Sequence, residues 1–443
     1  MSRFLHQEMG TVGMSKIGVI SLGCSKNLVD TEYMLALLKN CGHSLVSKPQ
    51  SAEVLIINTC GFIEPAKQES INTILEMAEY KKQGSCKMLI VTGCLSERYK
   101  EELKLELPEV DNFLGVHEYD KLPTLLGSAI SPVAVPCLLP RILTTPFYSA
   151  YLRISDGCDN RCTYCAIPLI RGAMHSVPMP ALLDEAKSLL DNGVSELTLI
   201  AQDTSSYGRD LYAKPMLLEL LNALAKLNGL RFLRVLYTYP DTVTPKLIDC
   251  IANDEKICNY LDMPLQHIDV ELLLKMNRRG SRQHVEQVLE HIRTTAPDFI
   301  LRTTIMVGFP GETDAKFDAL LSFLRTYQFD RLGAFAFSQE DGTSAASMPN
   351  QVPSEIKTLR LNALMAQQRE ISFSLNQKRV GSVVQVLFEG MRDGFAIGRS
   401  YAEAPEIDGA ILFKPLREHK AGEYLNVKLS LACDYDLIGE ELP

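Results

Sequence analysis

The feature that most limits how this chain can fold is an alternation, run twice, of short apolar runs with helix-length amphipathic stretches. The first run of it comprises Ile17 to Leu22, a helix-like stretch from about Asp30 to Lys39, and Val54 to Asn58. It continues with a helix from Pro65 to Tyr80, the strand Met88 to Thr92 and a helix from Ser96 to Leu107. Such alternation predicts a parallel sheet covered by helices through right-handed crossovers. Pro65 suits the first turn of its helix. After residues 117 to 148, where Pro132, Pro136, Pro140 and Pro146 weaken the pattern and mark a domain boundary, the alternation resumes. Strands are expected near 150–154, 196–201, 231–237, 259–263, 299–306 and 331–337, six units that fit a partial (β/α)6 barrel with its site at the strand carboxyl ends. No short-period repeat stands out, which argues against a solenoid. A helix from Pro353 to Arg379 follows, and then short runs such as Ser382 to Phe388 and Tyr424 to Leu431, separated by Gly and Asp turns, predict a small antiparallel β-barrel. The expected organisation is an α/β domain over 14–130, a linker over 131–148, a barrel over 149–376 and a small β-barrel over 377–443, reasonable for 443 residues.

Composition narrows the function classes. Hydrophobic residues make up 46% and charged residues 22%, the balance of a folded protein rather than a disordered one. The opening MSRFLHQEMGTVGMSK has no apolar targeting core, and no stretch approaches the roughly 18 apolar residues of a membrane span, so the expected location is the cytoplasm. Residues 1–13 read as an extension with no assigned role. A net charge of −9 argues against a broad phosphate-binding surface and favours a basic partner. Twelve cysteines in a reducing compartment point to metal or redox chemistry rather than disulfides.

Two groups of cysteines stand at strand ends. Cys24, Cys60 and Cys94 each follow an apolar run of the first block, in the loops Leu-Gly-Cys-Ser, Thr-Cys-Gly-Phe and Thr-Gly-Cys-Leu, on one edge of the sheet. The carboxyl edge of a parallel sheet is where ligands bind, and strands under about 5 Å apart let three such thiols converge. Gly23, Gly61 and Gly93 beside them permit close backbone approach. The second group is Cys158-Asp-Asn-Arg-Cys162-Thr-Tyr164-Cys165, directly after the first barrel strand. Three thiolates from one loop can hold three irons of a cubane cluster and leave the fourth open to a ligand. A structural zinc site would want a fourth Cys or His nearby.

The second group resembles the radical S-adenosylmethionine signature, in which an aromatic residue, here Tyr164, precedes the third cysteine. With Pro168-Leu-Ile-Arg171-Gly172 and the three upstream cysteines, the resemblance narrows to the methylthiotransferases and covers nearly the whole chain. It implies an N-terminal α/β domain, a radical barrel and a C-terminal TRAM barrel. It also implies two 4Fe–4S clusters, one on Cys158, Cys162 and Cys165 and an auxiliary one on Cys24, Cys60 and Cys94. S-adenosylmethionine would serve as methyl donor and radical source, with an external electron donor and sulfur source. A radical suits a target C–H bond that no side-chain base can deprotonate, the cofactor supplying the hard step. Tyr164, Gln202, Asp203, Gln266, Arg302, Gly308, Gly311 and Glu312 are the candidate cofactor contacts, the last three in a loop whose backbone can approach a carboxylate or ribose. For Gly308 to Glu312 an ordinary turn, with Glu312 helping the helix start, is the competing reading. Cys41, Cys86, Cys137, Cys250, Cys258 and Cys433 lack partners at suggestive spacing and read as structural.

Three features resemble the RimO subgroup, which modifies an aspartate of the small-subunit ribosomal protein twelve, over the subgroup that modifies transfer RNA. The loop Gly23-Cys24-Ser-Lys-Asn27-Leu-Val-Asp30-Thr-Glu32 is one. The segment Arg399-Ser-Tyr-Ala-Glu-Ala-Pro405-Glu406-Ile-Asp408-Gly409 is another, with Ala404 where an acidic or small residue would fit. The third is charge: residues 377 to 443 hold eight Lys or Arg against eleven Asp or Glu, a net −3 that suits a basic protein better than phosphates. The expected reaction replaces a β-hydrogen of the aspartate with a methylthio group, with both clusters facing a common cavity between the first domain and the barrel mouth. The alternatives are methylthiolation of a transfer-RNA adenosine and a non-catalytic iron–sulfur scaffold or electron carrier.

Overall fold

The computed structural model describes residues 14–84, 86–128 and 141–443. They fall into two compact units, Met1–Thr144 and Thr145–Pro443.

The first unit runs β1 (Lys16–Ser21), α1 (Ser25–Asn40), β2 (Ser44–Leu45), β3 (Val54–Thr59), α2 (Glu64–Gln83), β4 (Met88–Gly93), α3 (Cys94–Glu106), β5 (Asn112–Phe113) and α4 (Leu122–Leu125). Its sheet has the order β2-β1-β3-β4-β5, every pair parallel. The central strand β3, Val-Leu-Ile-Ile-Asn-Thr, is buried at every position, as a strand covered on both faces must be. On one face Leu55, Ile57, Leu89 and Val91 pack against Ile74 and Leu103, and on the other Ile56 and Ile90 meet Met34 and Leu38. Two expectations are corrected here. Helix α1 starts at Ser25 rather than near Asp30, because its first turns bury Lys26, Asn27, Asp30, Thr31 and Glu32, polar residues that apolar periodicity does not register. Cys94 is the first residue of α3 rather than part of a loop before it.

The linker expected over 131–148 lies outside the described residues as far as residue 140, as do residues 1–13. Its described part is not loose: Thr144 donates from its backbone N and its Oγ1 to Glu32 at 2.8 and 3.1 Å, and the buried Arg141 guanidinium lies 3.7 Å from the same carboxylate.

The second unit supplies the six expected barrel strands. Its order is β6 (Ser149–Arg153), β7 (Ser155–Asp156), α5 (Ile167–Ile170), β8 (His175–Ser176), α6 (Met179–Asp191), β9 (Glu196–Ile200), α7 (Arg209–Tyr212), α8 (Leu217–Leu224) and β10 (Phe232–Val235). Then come α9 (Pro245–Asn253), β11 (Tyr260–Asp262), α10 (Val270–Lys275), α11 (Arg282–Thr295), β12 (Ile300–Val307), α12 (Asp314–Tyr327) and β13 (Arg331–Ala336). Parallel sheets β6-β9-β10 and β11-β12-β13 are joined by a bridge between Leu233 and Ile257 and by the bond from Thr238 N to Asp262 O at 3.0 Å. Strands β6 and β13 end the series and do not pair, so the ring is partial.

Helix α13 (Ser354–Arg379) runs along β13 into a closed five-stranded barrel of β14 (Val383–Arg392), β15 (Phe395–Arg399), β16 (Ile411–Lys414), β17 (Tyr424–Ala432) and β18 (Leu437–Glu441). All its pairs are antiparallel except β16 with β18, which run parallel because β17 turns back on β18 between them in sequence. The boundary expected at 376/377 is a change of fold inside one compact unit. The β15–β16 connection explains why. It reaches from Tyr151 on β6 to Arg331 on β13, across the edge that strand pairing leaves open: Tyr151 Oη donates to Glu406 at 3.3 Å and Arg331 donates to Glu403 at 3.3 Å.

Candidate active site

The loop after β6 carries Cys158, Cys162 and Cys165, and neighbouring backbone ties it down. Cys158 N donates to Gly172 O at 3.1 Å, Thr163 N to Met276 O at 3.0 Å, and Cys165 N to Cys162 O at 3.0 Å. Asn277 reaches across to Arg161 O at 2.9 Å, and both residues hold a left-handed backbone. At Gly157 a Cβ would sit 2.0 Å from Ala173 O, so the chain can enter the loop only as glycine. All three thiols line one cavity of about 290 Å³, together with Leu169, Gly172 and Thr343. Burial, reinforced by the other two thiols, pushes Cys165 up to about 12. Burial also pushes Cys158 up to about 11. Such thiols keep their protons until a cation displaces them, which couples metal uptake to proton release. Among the described residues no set of three His, Cys, Asp or Glu closes on a single metal ion. Three thiols lining one cavity are a donor set that fits an iron–sulfur cluster, in which each thiolate takes a different iron.

Around that loop the side chains expected from sequence divide into two kinds. Gln202 donates to Asp156 at 3.0 Å, which also takes two bonds from the buried Arg171, while the Gln202 Oε1 is buried with no partner. Gln266, at a left-handed position after β11, likewise buries an Oε1 with no partner. Tyr164 packs edge-on to Phe309 with centroids 6.5 Å apart, and its Oη accepts from Arg278 at 3.1 Å. Burial holds its hydroxyl well above the usual tyrosine range. Asp203, in contrast, spends its oxygens on Asn160, Ser205 and Ser206, so it shapes the cluster loop through Asn160 at 2.8 Å. Arg302 is held by Asp262 at 3.0 Å and lies 3.6 Å from Asp408.

The loop Gly308 to Glu312 departs from the expectation of an open backbone site. Gly308 N donates to the buried Glu312 carboxylate, which also receives Arg360 at 2.9 Å and lies 3.4 Å from His267 Nε2. His267 Nδ1 accepts from Asp269 N at 2.9 Å, while its Nε2 and the Glu312 Oε1 it faces are both buried with no hydrogen-bond partner. Glu312 therefore holds the loop's shape. Gly308 and Gly311 both adopt the left-handed backbone that this turn needs.

In the first unit the loops bearing Cys24, Cys60 and Cys94 touch. A Cβ on Gly23 would lie 2.8 Å from Cys60 Cβ, and one on Gly61 would lie 2.9 Å from the carbonyl carbon of Cys94. Cys24 is exposed, while Cys60 and Cys94 are buried. Asn27, fully buried, joins the three: its Nδ2 donates to Leu22 O at 3.1 Å and Thr59 O at 2.9 Å, and its Oδ1 accepts from Cys94 Sγ at 3.4 Å. Asn27 falls within the Gly23 to Glu32 motif, but nothing in the motif's composition gives it a role. Its position three residues after Cys24, at the start of a helix, was the available signal. Arg278 and Asn277 had none, since both come from α10's far end, remote in sequence from the cysteines they serve.

A partial parallel ring with three cysteines lining a cavity beyond its first strand defines a radical S-adenosylmethionine enzyme, and residues 152–324 match the Radical SAM superfamily. Residues 16–115 match the uncharacterized protein family UPF0004, and residues 380–441 match the TRAM domain. Two solved radical S-adenosylmethionine enzymes share the fold. The methyltransferase TsrM from Kitasatospora setae, with cobalamin and a 4Fe–4S cluster bound, has a TM-score of 0.56 at 13% identity, over 93% of this chain and 80% of that one. The cobalamin-dependent enzyme OxsB has a TM-score of 0.51 at 11% identity, over 81% and 56%. Much nearer are proteins named ribosomal protein uS12 methylthiotransferase RimO. That of Clostridioides difficile is 46% identical over 440 residues, 97% of this chain and 99% of the relative, and that of Syntrophus aciditrophicus is 47% identical over 444 residues, 96% and 98%. The chain belongs to the RimO family of radical S-adenosylmethionine methylthiotransferases. No described helix is long and apolar enough to cross a membrane.

Proposed function

We propose that this enzyme adds a methylthio group to an aspartate side chain of ribosomal protein uS12, with Cys158, Cys162 and Cys165 holding one 4Fe–4S cluster and Cys24, Cys60 and Cys94 an auxiliary one. The observation that carries the reading is the convergence of the three thiols of one loop on a single cavity at the carboxyl end of β6. Three ligands leave an iron for S-adenosylmethionine, which supplies the radical for a C–H bond beyond the reach of a side-chain base.

The chain's own residues then bind and orient. Gln202 Oε1 and Gln266 Oε1 offer buried acceptors to the amino group or ribose of S-adenosylmethionine. Tyr164 and Phe309 make an apolar wall, and Arg278 fixes the tyrosine. Arg302 supplies positive charge suited to a carboxylate, held in place by Asp262. Asn27 keeps the auxiliary thiols together. The net −3 of residues 377–443 supports a basic protein substrate over a nucleic acid. An electron donor and a sulfur source complete the reaction.

The test is anaerobic reconstitution with iron, sulfide, reductant and S-adenosylmethionine, offering uS12 and transfer RNA in parallel and reading both by mass spectrometry. A methylthio mass gain on one aspartate of uS12 is expected. Gain only on an adenosine would retain the cysteine assignments and overturn the substrate.

A further inference from the structure

The β15–β16 connection carries three acidic residues, and they are used differently. Glu403 is 1% exposed and receives Arg331, Arg379 and Ser400. Asp408 accepts from Tyr260 at 2.6 Å and Ala404 N at 2.9 Å, and lies 3.6 Å from Arg302. Both are consumed by the fold. Glu406 is not: it is exposed, its bond is to Tyr151 Oη at 3.3 Å, and no described cation pairs with it. Its backbone has a φ of 65°, a left-handed conformation that costs a non-glycine residue about 1–2 kcal/mol. Strain at an exposed residue that serves no packing role calls for another reason.

Location supplies one. Tyr151 shares a face of β6 with Ser149, two residues earlier, and Ser149 makes a buried bond of 2.7 Å to Glu196 on the neighbouring strand β9. The Glu406 carboxylate is thus held at the face of β6 that carries Ser149 and Tyr151, beside the edge between β6 and β13 where no described strands pair. Arg234 and Arg399 are committed to the Tyr401 carbonyl and to Glu196, and Arg153, on the same face of β6, lies 3.6 Å from Asp156. A glutamate there offers acceptor oxygens and no donor.

We propose that Glu406 is a specificity-determining residue that accepts a lysine or arginine side chain of the protein substrate, close in sequence to the residue modified. This rests on the reading of uS12 as substrate. Tyr151 orients the carboxylate, and the left-handed backbone presents it to solvent on the connection that crosses the edge between β6 and β13.

The experiment uses the reconstituted full-length enzyme, wild-type uS12, and uS12 variants in which each lysine or arginine flanking the modified residue is replaced singly by glutamine. Methylthio product gives kcat and KM, and S-adenosylmethionine cleavage without uS12 reports the integrity of the radical site. Glu406→Gln is expected to raise KM for uS12 about tenfold, the scale of one partly desolvated charge pair. It should leave kcat within about twofold and uncoupled cleavage unchanged. Glu406→Asp should retain most of the affinity. One uS12 replacement should raise KM for the wild type and have no further effect in Glu406→Gln. An unchanged KM, additive effects at every uS12 position, or a parallel loss of uncoupled cleavage would each overturn the proposal. Absence of any methylthio product on uS12 with the wild-type enzyme would instead overturn the substrate reading, and this inference with it.

Discussion

Asn27 shows how much one buried side chain can organise. Its side chain contacts each of the three cysteine-bearing segments of the first unit, and it has no exposure through which water could replace those contacts. Asn27→Ala leaves two backbone carbonyls without their donor, a loss of about 2–4 kcal/mol. The change should also lower the iron retained by Cys24, Cys60 and Cys94. Iron analysis and electron paramagnetic resonance on protein whose Cys158, Cys162 and Cys165 are all alanine would isolate that site. Full retention of iron there would show that the loops hold together without the amide. Ala404 makes the opposite point: it is 0% exposed among Tyr148, Phe232 and Ala402, so of the acidic or small residue the sequence allowed, packing admits only the small one.

Elements position these residues through their ends. Each cysteine group follows the carboxyl ends of parallel strands, and the turn away from the strand is paid for with glycine where backbone crowds backbone. Gly157 has a φ of 76° and a carbonyl oxygen 2.0 Å from where a Cβ would go. Gly157→Ala should therefore displace the loop from Ala173, costing most of the iron bound by Cys158, Cys162 and Cys165 while sparing the auxiliary site. Visible absorbance and iron content per chain check this, and an unaffected cluster would mean that the 170–174 segment yields instead. Helix α1 is the other instructive element. Its first two turns bury polar residues, of which Asn27 and Thr31 meet Asn58 at the end of β3 and Glu32 holds Thr144.

At the scale of the second unit, charge joins the small barrel to the partial ring. Arg399 makes two bonds to the buried Glu196 at 2.8 and 2.7 Å, and Glu403 binds Arg331 and Arg379. Burial by itself would raise the Glu403 carboxyl, yet Arg379, Arg331 and Ser400 outweigh it and bring the group down to about 2. A depressed carboxylate contributes stability that is present above its unfolded value of about 4.3 and is lost as pH falls from there toward its folded value. Denaturant unfolding of the second unit should therefore weaken across that acid range, and Glu403→Gln should flatten the dependence. At neutral pH the same substitution leaves two arginines short of their carboxylate and should cost about 3–5 kcal/mol. An unchanged acid slope in Glu403→Gln would assign the pH dependence to other carboxylates.

Much of this was legible in the sequence because it depends on local spacing. Apolar runs alternating with helical stretches dictate a parallel sheet and a partial ring by handedness and burial alone, and the six strands fall where that pattern put them. Cysteines at strand ends are legible for the same reason, since a parallel sheet brings its carboxyl edges together whatever the loops contain. What the tertiary structure alone decided depends on residues far apart in the chain. Asp203 and Glu312, both read as candidate cofactor contacts, also hold loops, through Asn160 and Arg360, partners that lie 43 and 48 residues away along the chain. Glu406 lies 255 residues from the tyrosine that orients it. Periodicity reports which face of an element is buried, but a buried polar contact is specified pairwise in space, and one strand of sequence carries no record of the pair.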